Sequence, residues 1–147
     1  MRIRFLCILP LLLGAIQGRA DALPERELQI SAPSHVRAGA QFEISVHVAT
    51  RVGGGEQIGF FHGEFSADGG KNWTGFSYDQ GLGPETTRHA TLTAGPAASR
   101  VLIRVRIAFR DGAAGDVDYS GAAIRWSATW EHWDEPPARS AVVLVDP

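Results

Sequence analysis

Two stretches of the chain alternate apolar and polar residues almost without interruption. In "QFEISVHV", Phe42, Ile44, Val46 and Val48 fall on one side, and Gln41, Glu43, Ser45 and His47 on the other. In "VLIRVRIAFR", Val101, Ile103, Val105, Ile107 and Phe109 face one way while Arg104, Arg106 and Arg110 face the other. A period of two with one apolar face predicts strands of a half-buried antiparallel sheet. Shorter runs predict further strands at Glu27–Ser31, Ile58–Ser66, Asn72–Asp79, Thr86–Ala94, Ala122–Trp130 and Arg139–Val145. The breaks between them, "RAGA", "VGGGEQ", "ADGGK", "GLGPE", "AGPAAS", "DGAAGD" and "DEPPA", carry Gly, Pro and Asp, the residues that turn a chain. Seven to eight short strands at this spacing argue for an all-β sandwich or small barrel.

The first residues do not share this pattern. Arg2 and Arg4 precede an apolar run from Phe5 to Ile16, and Ala20-Asp21-Ala22 has the small-x-small form of a cleavage site. Together these read as a secretory signal peptide over residues 1–22, with one domain from Leu23 to Pro147. The run is shorter than the roughly 20 apolar residues a membrane span needs. No second stretch approaches that length, so no span is expected once the leader is removed. The single cysteine, Cys7, lies within the apolar run. The mature domain is therefore expected to hold together by burial alone, with neither a disulfide nor thiolate chemistry. Removing Arg2, Arg4, Arg19 and Asp21 takes the formal charge from −2 to −4. No basic cluster points to nucleic acid or an anionic membrane. The expected location is secreted or periplasmic.

"APSHVRAGAQFEISVHV" resembles the opening of bacterial extracytoplasmic immunoglobulin-like and fibronectin type III-like domains: a proline-bearing strand, a Gly turn, then an alternating strand. The resemblance implies an immunoglobulin-like antiparallel β-sandwich without the paired cysteines of antibody domains, and implies no function. In "FSADGGKNW", Ser66, Asp68, Gly70 and Trp73 are similar to the Asp-box of sialidases and related β-propellers, with Asn72 where that box prefers Thr. A propeller repeats its motif blade by blade, and this chain carries one copy and no internal repeat. The stretch is expected to be a hairpin turn in which Asp68 accepts backbone N–H bonds, glycines take positive φ, and Trp73 covers the turn.

Candidate chemistry is sparse. Asp111, Asp116 and Asp118 in "RDGAAGDVDY" offer oxygen ligands near glycines, a weak calcium pattern set against an ordinary solvated turn. His62 and Glu64 share a strand face, two residues apart, where they can serve a metal or an acid–base pair; the other histidines, His35, His47, His89 and His132, are scattered singly. No G-x-S-x-G elbow occurs, and no carboxylate pair is singled out for glycoside hydrolysis. Arg104 and Arg106, about 7 Å apart along one strand face, either pair with acids such as Glu43 on neighbouring strands or bind a carboxylate-bearing ligand. "WSATWEHWDEPP" places Trp126, Trp130 and Trp133 close together, with Glu131 and Asp134 beside them. Trp130 and Trp133 suit stacking on sugar rings or anchoring a protein, with Glu131 and Asp134 as hydrogen-bond acceptors; alternatively the tryptophans fill the core and cover its end. The sequence thus supports a module that binds a carbohydrate or an envelope or extracellular protein and does not catalyse. Two alternatives stand beside it: an accessory envelope domain acting by protein assembly, and a metal-dependent module using His62, Glu64 or the Asp116/Asp118 loop.

Overall fold

The computed structural model describes residues 24–124 and 136–147. The expected leader, most of the predicted strand Ala122–Trp130, and the candidates Trp126, Trp130, Glu131, Trp133 and Asp134 lie outside the described residues. Of that strand, the described residues Ala122–Ile124 contribute only one bridge, between Ala123 and Val117.

Eight strands follow one another: β1 (Arg26–Ser31), β2 (His35–Arg37), β3 (Gln41–Thr50), β4 (Gln57–Ser66), β5 (Thr74–Gln80), β6 (Glu85–Thr93), β7 (Arg100–Arg110) and β8 (Arg139–Asp146). They form two sheets, β1-β3-β6 and β2-β8-β7-β4-β5, with no helix among the described residues. Every pairing between named strands is antiparallel except β2 with β8, which is parallel. That pair departs from the all-antiparallel expectation. Pro33 has no N–H to continue the β1 ladder, and the chain crosses there to the other sheet. Its arrival is fixed by the Leu144 N–H, which donates to the Ser34 carbonyl at 2.9 Å.

The alternating stretches do what their period requires. Phe42, Ile44, Val46 and Val48 of β3 and Val101, Ile103, Val105, Ile107 and Phe109 of β7 are all buried between the sheets. Their core has two lobes, one around Phe61, Ile107 and Phe109 and one around Phe42, Ile103 and Val143. Each fully buried large side chain contributes about 1.5–3 kcal/mol through removal from water.

β4 carries one bulge, at Gly59, where its register against β7 shifts between Ile58 and Phe60. The shift against β5 between Gly63 and Glu64 is a bulge of β5, with Phe76 as its extra residue. The first shift lets Ile58 and Phe61 both enter the core while Phe60, His62 and Glu64 turn to the outer face. Gly63 has no room for a side chain, because a Cβ there would lie 2.4 Å from the Phe76 ring of β5.

Polar ties close the sandwich at its ends. Glu56 is buried and accepts from Arg26 Nε at 2.9 Å, Arg26 Nη2 at 2.6 Å and the Thr50 hydroxyl at 2.5 Å. Burial pushes its carboxyl up, but these hydrogen bonds and the Arg26 charge outweigh it and hold it below the usual range. Asp79 of β5 accepts from Ser77 at 2.5 Å and from Arg88 of β6 at 3.1 Å, linking one sheet to the other.

Candidate functional site

The stretch after β4 folds back over the outer face of the five-stranded sheet. Asp68 organises it. Its Oδ1 accepts from the Ser66 hydroxyl at 2.7 Å, the Asn72 N–H at 2.9 Å and the Lys71 N–H at 3.1 Å, and its Oδ2 accepts from the Asn72 side-chain amide at 2.6 Å. Ser66 in turn accepts from the Gly70 N–H at 2.8 Å. Gly69 and Gly70 take φ values of 75° and 97°, which L side chains rarely adopt. The Asn72 bonds above all, with those of Ser66 and Lys71, hold the Asp68 carboxyl far below the usual range. Asn72, where the Asp-box prefers Thr, supplies two of the four donors. The Asp68 carboxylate is occupied by its own loop.

What the turn does is place Trp73. The Arg104 guanidinium lies 3.7 Å from the Trp73 ring centroid, a cation–π contact. Arg104 Nε also donates to Glu64 Oε2 at 2.7 Å, and Arg106 Nη1 donates to the same oxygen at 3.1 Å. The partner of the arginine row is therefore Glu64 of the adjacent β4, and Glu43 sits on β3 in the other sheet. His62 Nε2 is 3.7 Å from Glu64 Oε1, so the expected His62–Glu64 pair is brought together. Partial burial pushes the Glu64 carboxyl up; the Arg104 bond, the neighbouring His62 and Arg104 charges and the Arg106 bond outweigh it and leave it lowered. His62 also meets Tyr78 edge-on at 5.5 Å, and Phe60 packs edge-on against both.

Cross-strand register extends this face towards β8. Arg100, Leu102 and Arg104 of β7 stand opposite Leu144, Val142 and Ser140. Val142 is 50% exposed and Leu144 42%, while the intervening Val143 and Val145 fill the core. The Asp68 loop reaches the middle of this row, where Leu102 is half-buried, since a Cβ on Gly70 would lie 3.3 Å from Leu102 Cδ1. The outer face thus presents an aromatic, charged half and an apolar half, joined by Arg104.

The carboxylates of the acidic loop make local contacts. Asp111 accepts from the Gln57 side-chain amide at 2.5 Å, and Asp116 faces Arg110 at 3.6 Å. Asp118 is buried and accepts from the Ser120 N–H and hydroxyl and from the Ala122 N–H. Among the described residues, no three His, Cys, Asp or Glu side chains are grouped to hold a metal ion. On the opposite sheet an open groove of about 350 Å³ is lined by Ser31, Ala32, Pro33, Glu43, Ile44, Ser45 and His89. Sequence reasoning found the face of Arg104 and Arg106 but missed Trp73 as its support and the exposed β8 row; alternation in "RSAVVLV" was the available signal for the latter.

No family model and no curated protein sequence matches the chain. Among solved structures it is similar to a superoxide reductase (neelaredoxin) from Ignicoccus hospitalis, with 15% identity, a TM-score of 0.47 and 82% of each chain covered. It is also similar to Spo0M, a sporulation control protein from Bacillus subtilis, with 10% identity and a TM-score of 0.43, over 85% of this chain and 51% of that one. These likenesses concern the β-sandwich fold alone.

Proposed function

We propose that this chain is a secreted or periplasmic, immunoglobulin-like binding module that holds a protein partner on the outer face of its five-stranded sheet and catalyses nothing. One observation carries the reading: the exposed apolar pair Val142 and Leu144 borders an arginine, Arg104, clamped between Trp73 and Glu64. Interface centres are enriched in Arg and aromatic residues and are desolvated by apolar neighbours. The leader-like start of the chain supports an extracytoplasmic location. Carbohydrate recognition, the competing reading, rests on Trp130 and Trp133, and Trp73 already has Arg104 over its ring.

The test is photo-cross-linking of the full chain in an envelope extract of the producing organism. A photoreactive phenylalanine analogue replaces Val142 or, as control, Thr91 on the polar face of β6. The expected result is a discrete protein adduct from position 142 and none from position 91. Saturable retention of the chain on cell-wall polysaccharide, with no protein adduct, would replace this reading with sugar recognition.

A further inference from the structure

We propose that the strip formed by Arg100, Leu102, Arg104, Val142 and Leu144 docks an extended partner segment of the pattern acid–x–apolar–x–acid. The inference rests on the protein-partner reading above and names the chemistry of that partner.

The strip's geometry comes from strand periodicity. Positions 100, 102 and 104 of β7 point to the same outer face, and four residues of antiparallel strand separate Arg100 from Arg104 by about 14 Å. Between the two cations, Leu102 stands beside Val142 in register, and Leu144 stands beside Arg100. An extended peptide has the same repeat, so acids at positions i and i+4 reach both arginines while the residue at i+2 meets Leu102 and Val142.

The charges on the strip match such a segment. Arg104 uses Nε on Glu64, and its terminal N–H groups have no hydrogen-bond partner among the described residues. Its side chain is 28% exposed and is fixed by Trp73 and Glu64, so little side-chain freedom is left to lose when a carboxylate binds. Arg100 is exposed and makes no ion pair among the described residues. Nearby acids are already engaged: Glu64 by Arg104 and Arg106, and Asp146 by His35 at 3.2 Å. The planar guanidinium fork favours carboxylates, and the apolar stretch between the cations favours a peptide over a highly charged polyanion.

The experiment titrates the full chain with a synthetic peptide containing Glu-Thr-Leu-Thr-Glu, followed by calorimetry and by amide NMR shifts. Controls are the same peptide with both Glu changed to Gln, and a scrambled Glu-Glu-Thr-Thr-Leu. The expected result is saturable binding with shifts at residues 100–104 and 142–144, weakened about tenfold or more by Arg104→Gln, by Arg100→Gln and by the Gln peptide. Circular dichroism melts of both variants verify folding. Equal binding of the scrambled peptide, or no binding of the patterned one, overturns the inference. A protein adduct at position 142 that survives Arg100→Gln and Arg104→Gln also overturns it but leaves the partner face standing. Absence of any adduct removes both.

Discussion

Two acidic residues of this chain look alike in sequence and do different work. Glu56 lies in a glycine-rich loop, yet its side chain is wholly buried against Arg26 and Thr50. Removing one partner of such a pair strands the other charge, so Glu56→Ala is expected to cost about 3–5 kcal/mol in urea unfolding. The double replacement Arg26→Met with Glu56→Leu is expected to recover most of that loss, since an apolar pair of similar volume leaves no orphan charge. Asp68 instead sits on the surface and closes a turn. Asp68→Ala is expected to release the Lys71 and Asn72 amides first, visible as faster hydrogen exchange there than in β4 or β7. Unchanged protection of those two amides would show that the turn does not depend on its carboxylate. Trp73 is positioned by the same turn, so the variant should also weaken the Arg104 contact and shift the tryptophan emission.

At the scale of single strands, β3 and β7 were legible because every second residue is apolar and the buried face is continuous. β4 was legible as a strand but not as a surface. "IGFFHGEF" has apolar residues in both parities, and only the bulge at Gly59 decides that Phe61 goes in while His62 and Glu64 go out. β2 was missed as a separate strand because three residues carry no period, and its partner β8 lies more than a hundred residues away. The Glu64–Arg104 tie was missed for a related reason: each residue's face could be read locally, but which strands are neighbours is set by the whole topology. The bulges give a prediction of their own. Gly63→Ala drives a Cβ into the Phe76 ring, a rigid group packed on both core lobes, and is expected to cost about 1–3 kcal/mol. Gly59→Ala first meets the flexible side chain of Arg110 and should cost less. Combining Gly63→Ala with Phe76→Ala should be less than additive in a double-mutant cycle, because the second change removes the clash made by the first.

The whole molecule joins two sheets with an apolar core and a small set of carboxylates whose partners come from distant strands. Glu56 ties the start of β1 to the β3–β4 loop, Asp79 ties β5 to β6 across the sandwich, and Glu64 ties β4 to β7. Together with Asp68, all four have carboxyls held below their ordinary values of 4.5 for Glu and 3.8 for Asp. A carboxyl lowered on folding binds its proton more weakly in the folded chain than in the unfolded one. Its contribution is therefore complete above the unfolded value and is lost as pH falls through the folded value. The domain should accordingly keep constant stability from these four groups between pH 7 and about 5.5, then lose it steadily below pH 4.5. The slope of unfolding free energy against pH in that acid range counts the extra protons taken up by the unfolded chain. Replacing Arg26 and Glu56 together by Met and Leu removes one of the four groups, so the slope should flatten even though stability at pH 7 is nearly kept. Denaturant melts of both proteins from pH 7 to pH 2.5 make the comparison. Parallel curves would mean that the buried pair takes no part in acid unfolding, and that the other three carboxylates carry it.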